Sequence, residues 1–240
     1  MTYKIGFMNK IVLAVWIGFC GFNSWAGVVE DLEKTCNGKG SVAASACTQL
    51  GKKYAEGLDG LSQNNPRAIY YFDIACEDGD LSGCYNLGLM HDRGQGTMQN
   101  YAKAVWYYER ACEGGLAEGC TNLGKKYDKG WGAMYDEGWI VKQDFTKAAE
   151  LYKKGCELKD AEGCQKLGVL YAKGQGVKPD YKKAEKLFKK ACEKDYALGC
   201  YHLGLLYELS TNNKMAYKYY KKACMYVPNA CASSYRVKNK

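Results

Sequence analysis

Clustered metal ligands and redox motifs are missing from this sequence. It contains no Cys-x-x-Cys spacing, and its only histidines are His91 and His202. Zinc, c-type haem and thioredoxin-like sites need such clusters, so these classes are disfavoured. We therefore expect no metal site and no cofactor.

Long hydrophobic runs are lacking after residue 26. Before it, Lys4 and Lys10 precede the apolar run Ile11–Phe22, and Ser24 and Ala26 place small residues three and one before a cleavage point. This pattern predicts a signal peptide at 1–26, followed by a mature chain at 27–240. No later apolar segment of about 20 residues follows, so we expect no membrane span and a secreted or periplasmic protein.

Concentrated positive charge is also absent. The formal net charge is +8 and falls to +6 without the two signal lysines, and no compact basic motif occurs. Nucleic acid is therefore not expected as a partner.

The sequence instead contains one repeated unit. Its most regular copy is Ala184–Cys192 followed by Cys200–Tyr207. The other copies are Ala148–Cys156 with Cys164–Tyr171, Ala104–Cys112 with Cys120–Tyr127, and Ala68–Cys76 with Cys84–His91. Apolar residues recur at offsets of three, four and seven in both segments, which predicts two helices per unit. We call the Ala-to-Cys segment helix B and the segment that starts at the second cysteine helix A.

Capping and packing signals recur with the repeat. Each helix B is preceded by a good N-cap residue, and each helix A has a glycine in its interior. The expected caps are Asn64, Asn100, Asp144, Asp180 and Asn212, and the interior glycines are Gly51, Gly88, Gly124, Gly168 and Gly204. An interior glycine costs about 1 kcal/mol relative to alanine, so its recurrence predicts close approach of the paired helix.

Twelve cysteines remain after removal of the signal peptide, an even number in an exported chain. Four pairs are eight residues apart, too far for a disulfide on one straight helix, so a turn must separate the two helices. The repeat then selects one pairing, which joins each helix B to the next helix A. The predicted bridges are Cys36–Cys47, Cys76–Cys84, Cys112–Cys120, Cys156–Cys164, Cys192–Cys200 and Cys224–Cys231.

The array has one insertion and two irregular ends. The second cysteines of consecutive units are separated by 36, then 44, then 36 residues. The longer middle interval predicts an insertion loop at 131–143. The loop between helix A and helix B shrinks to Leu209–Asn213 in the last full unit. Val29–Cys36 is predicted as an unpaired helix B, and Cys231–Arg236 as a truncated helix A, as an array with special end units requires.

One stretch of the sequence resembles the Sel1-like repeat. Its matching residues are Leu167-Gly168, Tyr171, Gly174-x-Gly176-Val177, Asp180 and Lys183-Ala184. With its cysteines, the chain is similar to the Helicobacter cysteine-rich protein family over about residues 29–236. The resemblance implies an all-α fold, a right-handed αα-superhelix of about five repeats with a disulfide in each repeat. It also implies a binding scaffold for a protein or peptide, at the host interface or the cell envelope. We expect the protein to be a monomer.

The same resemblance implies an alternative function. Members of the cysteine-rich family have been assigned penicillin binding and weak β-lactamase activity, which would make a β-lactam or a peptidoglycan-like molecule the ligand. The sequence has no Ser-x-x-Lys, Ser-Asp-Asn or Lys-Thr-Gly, so the usual serine β-lactamase groups are absent, and no nucleophile can be named. Binding is therefore our main prediction.

The binding residues are expected on helix A outside the core stripe. In each unit, the residue immediately before the Leu-Gly pair and the residue four positions after it lie on one face of helix A. When the repeats stack, these side chains form a ladder along one surface. From this ladder we predict Asn86, Asn122, Lys126 and His202 as binding residues. The insertion adds Trp131, Tyr135 and Trp139, because Trp and Tyr are enriched at binding hot spots. A solvated helix face, or a loop that caps its own repeat, would give the same pattern without binding.

Overall fold

The computed structural model describes residues 27–130 and 141–239. Within these ranges every regular element is a helix, and Val141 alone forms an isolated β-bridge. The helices are α1 (27–36), α2 (Ser41–Glu56), α3 (Asn65–Glu77), α4 (Leu81–Arg93), α5 (Tyr101–Glu113), α6 (Ala117–Lys129), α7 (Phe145–Glu157), α8 (Ala161–Lys173), α9 (Tyr181–Glu193), α10 (Ala197–Leu209), α11 (Asn213–Ala223) and α12 (Pro228–Lys238). The all-α prediction is confirmed, with both predicted half-units present as α1 and α12. The signal peptide predicted at 1–26 lies outside the described residues.

The chain divides between Asn100 and Tyr101 into two compact units. In the first unit α2 packs on α3, and α3 packs on α4. In the second unit each helix from α5 to α12 packs on the next, and the helices A also contact one another, α6 with α8 and α8 with α10. None of the described helices is long and apolar enough to cross a membrane.

The predicted caps set the start of helix B. The side chains of Asn64, Asp144, Asp180 and Asn212 each accept a hydrogen bond from a backbone N–H in the first turn of α3, α7, α9 and α11. The N–H of the same cap residue donates to the carbonyl of a tyrosine near the end of the preceding helix A, as Asp180 does to Tyr171 at 3.0 Å. One residue therefore both starts helix B and fixes its approach to helix A.

The interior glycines of helix A are explained by contact with an aromatic ring on helix B. A Cβ added at Gly168 would lie 2.6 Å from Cε1 of Phe188, and one at Gly204 would lie 2.6 Å from Cδ1 of Tyr220. Both rings are almost fully buried. The close approach predicted from the glycines is confirmed.

All six predicted disulfides are present. Their Cα–Cα distances lie between 4.5 and 4.9 Å, within the range that a disulfide needs. Each joins the end of one helix B to the next helix A, in its first turn for five bridges and in its second turn for Cys36–Cys47. Glycines allow this approach, since a Cβ at Gly199 would lie 2.6 Å from the Cβ of Ala191. The bridges therefore link neighbouring repeats.

Candidate functional site

Two positions of the repeat form one accessible face of helix A in the second unit. One lies two residues before the interior glycine and the other one residue after it. We call this the helix-A surface. It consists of Asn122, Lys125, Lys166, Val169, His202 and Leu205, and all six side chains are half-buried.

The position four residues after the first of these was expected to share that face. In α6 and α8 it instead points into the core. Lys126 is only 5% exposed, and Leu170 is 2% exposed. The ammonium group of Lys126 lies 5.5 Å from the ring centroid of Tyr101, a cation–π arrangement. Lys126 therefore supports the contact between α5 and α6, and its neighbour Lys125 takes the accessible position.

Lys125 connects two consecutive repeats. Its ammonium group donates to Oδ1 of Asn122 at 3.0 Å and to Oε2 of Glu162 at 2.7 Å. Glu162 belongs to the first turn of α8, while Asn122 and Lys125 belong to α6. The ion pair is about 30% exposed on each side, so it holds the side chains in place while leaving them accessible. The sequence pattern predicted Asn122 but missed Lys125 and Glu162, because the ion pair needs the register between α6 and α8.

His202 occupies the equivalent position on α10 and is held on several sides. Its ring stacks on Phe188, with centroids 5.2 Å apart, and Nδ1 lies 2.7 Å from the carbonyl oxygen of Leu198. Nδ1 therefore carries the hydrogen and donates it to Leu198, which leaves Nε2 as the acceptor of the neutral ring. Burial, despite the Leu198 hydrogen bond, lowers the pKa of His202, and the positive charges of Lys166 and Lys173 lower it further.

A polar side chain is buried beneath this surface. Gln165 is 3% exposed, and its Nε2 lies 3.3 Å from Nδ1 of His202. Among the described residues no donor reaches its Oε1. In the preceding repeat the same position is Thr121, whose hydroxyl donates to the carboxylate of the N-cap residue Asp160. The next cap is Tyr196, which has no side-chain cap bond, so the amide N–H of Gln165 finds no carboxylate at the equivalent place.

Four predicted site residues remain, and one of them, Asn86, lies within the described ranges. Asn86 lies on α4 in the first unit, half-buried, where its Nδ2 donates to the carbonyl of Ser82 at 2.7 Å. Trp131, Tyr135 and Trp139 lie outside the described residues. From the predicted set, the helix-A surface of the second unit therefore contains Asn122 and His202. Lys125 also belongs to it, and Glu162 pairs with Lys125 at its edge.

The comparisons with known proteins agree with the repeat boundaries. The model of the Sel1 repeat matches residues 44–80, 81–116, 117–160, 161–196 and 195–225. Each matched segment contains one helix A and the following helix B, from α2–α3 to α10–α11. The search of curated proteins returned no match.

Solved structures with the same repeat are similar to this chain. One is c5321, a protective antigen present in uropathogenic Escherichia coli strains, with 28% identity, a TM-score of 0.72, and coverage of 82% of this chain and 40% of that chain. Another is a Sel1 repeat protein from Oxalobacter formigenes, with 24% identity, a TM-score of 0.67, and coverage of 76% of this chain and 70% of that chain. This chain thus spans less than half the length of c5321.

Helicobacter pylori cysteine rich protein B has higher identity over a shorter match. It is 36% identical with a TM-score of 0.42, over 53% of this chain and 85% of that chain. The family assignment rests on the repeat model, which matches segments from residue 44 to residue 225 of 240. This protein therefore belongs to the Sel1 repeat family.

Proposed function

We propose that this protein is an exported scaffold that binds a protein or peptide partner through the helix-A surface of its second unit. The observation that carries this proposal is the Asn122–Lys125–Glu162 network, which joins consecutive repeats and remains accessible. Sel1 repeats commonly mediate protein interactions, which supports a binding role for such a surface.

The chemistry of the surface suits an extended peptide. Asn122 offers an amide, Lys125 and Lys166 offer ammonium donors, and Glu162 offers a carboxylate acceptor. Because the ion pair and the ring stacking already hold Lys125 and His202, ordering them on binding costs less conformational entropy than ordering free side chains. A backbone that runs across α6, α8 and α10 would meet one such group on each helix.

Export is supported by the cysteines. All twelve cysteines in the described ranges are paired, and disulfides of this density are typical of oxidising compartments. The predicted signal peptide at 1–26 agrees with this.

Paired substitutions test the proposal. Asn122→Ala with Lys125→Ala should weaken capture of a partner from cell-envelope or host extracts at least tenfold, while circular dichroism and the melting temperature change little. The matched control is Lys186→Ala with Lys189→Ala, which removes exposed side chains from helix B and should leave capture unchanged. Full capture by the first variant would remove the helix-A surface from the proposal.

Two further variants test predicted residues outside the helix-A surface. Asn86→Ala examines the ladder asparagine of the first unit, and Trp139→Ala examines the insertion. Unchanged capture by either variant would remove that residue from the prediction. If Trp139→Ala lowers the melting temperature but leaves capture intact, the insertion is structural.

A further inference from the structure

The loops between helix A and helix B cover the start of the preceding helix B. In the first unit, Gly96 lies so close to Asn65 that an added Cβ would come within 2.5 Å of its Cβ. In the second unit, Gly176 has a φ of +68° and lies against Phe145, where an added Cβ would overlap the Phe145 carbonyl. The hydroxyl of Thr146 donates to the Gly176 carbonyl at 3.5 Å, and Val177 packs on the cluster around Ala149 and Tyr152. A glycine turn followed by an aliphatic side chain thus closes this position.

The last full repeat lacks such a loop. Seven residues, Gly174–Asp180, connect α8 to α9, whereas only three, Ser210–Asn212, connect α10 to α11. The short connection cannot reach the start of α9. The first residue of α9, Tyr181, is consequently 62% exposed, whereas its equivalent Phe145 is half-buried.

The missing loop leaves an open groove of about 460 Å³. Its wall contains Tyr181, Lys182, Glu185, Leu206, Tyr207 and Leu209. Leu209 is 78% exposed, and Leu206 is half-buried although its equivalent Leu170 is 2% exposed. Tyr181 and Leu206 are therefore more accessible than their equivalents in the preceding repeat, while Leu209 stands where that repeat has the exposed Lys173.

We propose that this groove binds a segment of a partner protein in which a glycine turn precedes an aliphatic residue. The chemistry of the occupant is taken from the chain itself, since Gly176 and Val177 fill the equivalent position one repeat earlier. The aliphatic side chain contacts Leu206 and Leu209, and the glycine turn lies on the first turn of α9.

The polar groups of the groove fit the same occupant. Lys182 stands where Thr146 donates to the loop carbonyl, so it supplies a donor to the segment. Glu185 stands where Ala149 is buried, and its Oε1 accepts from the Tyr207 hydroxyl at 2.6 Å, which leaves Oε2 to accept an N–H of the segment. The groove is a second binding site that shares no residue with the helix-A surface. Its test is therefore independent of the function proposed above.

The test uses a peptide with the chain's own loop sequence, Gly-Gln-Gly-Val-Lys-Pro-Asp, cyclised to reduce the entropy cost of ordering it. Fluorescence anisotropy of the labelled peptide should show saturable binding to the full mature protein. Leu209→Ser and Tyr181→Ser, both at exposed positions, should weaken binding at least tenfold. Tyr226→Ser, at an exposed tyrosine outside the groove, should leave binding unchanged, and a peptide with serine in place of valine should not bind.

A loop-restored variant provides the decisive comparison. In it, Ser210–Asn212 is replaced by the seven-residue sequence of Gly174–Asp180, which should fill the groove and abolish peptide binding. Absence of saturable binding to the wild-type protein, or equal binding to the loop-restored variant, would overturn the proposal. Self-association of the wild-type protein that the loop-restored variant abolishes would assign the groove to a second copy, and the partner-protein proposal would then be wrong.

Discussion

At the scale of single residues, the repeat varies in matched pairs between helix A and helix B. The buried aromatic residue of helix B is a tyrosine where the facing helix A carries an acid four residues after its glycine. The hydroxyl of Tyr152 donates to Asp128 at 3.0 Å, and that of Tyr220 donates to Glu208 at 2.8 Å. Where the aromatic residue is Phe72 or Phe188, the facing residue is Ala55 or Ala172. The acid is therefore present to satisfy a buried hydroxyl.

This pairing predicts energetic coupling between Tyr152 and Asp128. The hydroxyl is buried, and this burial, together with the charge of Asp128, raises the pKa of Tyr152. Tyr152→Phe and Asp128→Ala should each lower the free energy of unfolding by about 1 kcal/mol. The double variant recreates the Phe188–Ala172 combination. Its loss of unfolding free energy should therefore be smaller than the sum of the two single losses. Denaturant unfolding of the four proteins measures this, and strictly additive losses would contradict the pairing.

His202 should make stability depend on pH. Its pKa is lowered in the folded protein, chiefly by burial, so the folded state resists protonation more than the unfolded chain does. Its contribution is therefore fully present above the ordinary histidine pKa of about 6.5 and is lost as the pH falls through the lowered pKa. The melting temperature of the wild type should fall more between pH of about 7.5 and about 5 than that of His202→Gln. Equal falls would show that His202 titrates normally.

At the scale of helices, the packing of helix A on helix B depends on the interior glycines. Gly168→Ala should favour the isolated helix by about 1 kcal/mol. In the protein, however, the new Cβ would meet the Phe188 ring at 2.6 Å, and Phe188 is only 1% exposed. Overpacking of this kind costs about 1–3 kcal/mol, so we expect a net loss of stability.

A second background checks the cause of that loss. In Phe188→Leu the ring edge is absent, so adding Gly168→Ala should cost less than it does in the wild type. Thermal or denaturant unfolding gives both differences. If the cost is the same in the two backgrounds, the contact with Phe188 does not explain the glycine.

Most of the helices, and the contacts and disulfides that connect them, were predicted from the sequence because they depend on local signals. Caps such as Asp180, the interior glycines and the cysteine spacing each act within one or two neighbouring helices. The accessible face of helix A was predicted only in part. Periodicity places Asn122 and Lys126 on one side of α6, but the packing of α5 and α8 decides which part of that side is buried. The Lys125–Glu162 pair and the Tyr152–Asp128 pair likewise depend on the register between helices.

At the scale of the whole molecule, the six bridges connect neighbouring repeats along the chain. On the chain-entropy account, a closed loop this short contributes about 2–3 kcal/mol. Replacing Cys156 and Cys164 together by alanine should lower the free energy of unfolding by this amount while preserving helical circular dichroism. Non-reducing peptide mapping of the wild type should find only bridges between neighbouring cysteines. A bridge between distant cysteines would contradict the repeat arrangement.

The central claim is that the partner lies on the helix-A surface, and site-specific photo-crosslinking tests it most directly. A photoreactive residue in place of Lys166 would lie on the helix-A surface, and one in place of Lys186 would lie on the exposed side of helix B in the same repeat. The account predicts that the photoreactive residue at position 166 forms a covalent product with the partner and that the one at position 186 does not. The crosslinked partner should be the protein whose capture is weakened by the double variant Asn122→Ala with Lys125→Ala. Crosslinking from Lys186 with none from Lys166 would place the partner on the opposite face and contradict the account.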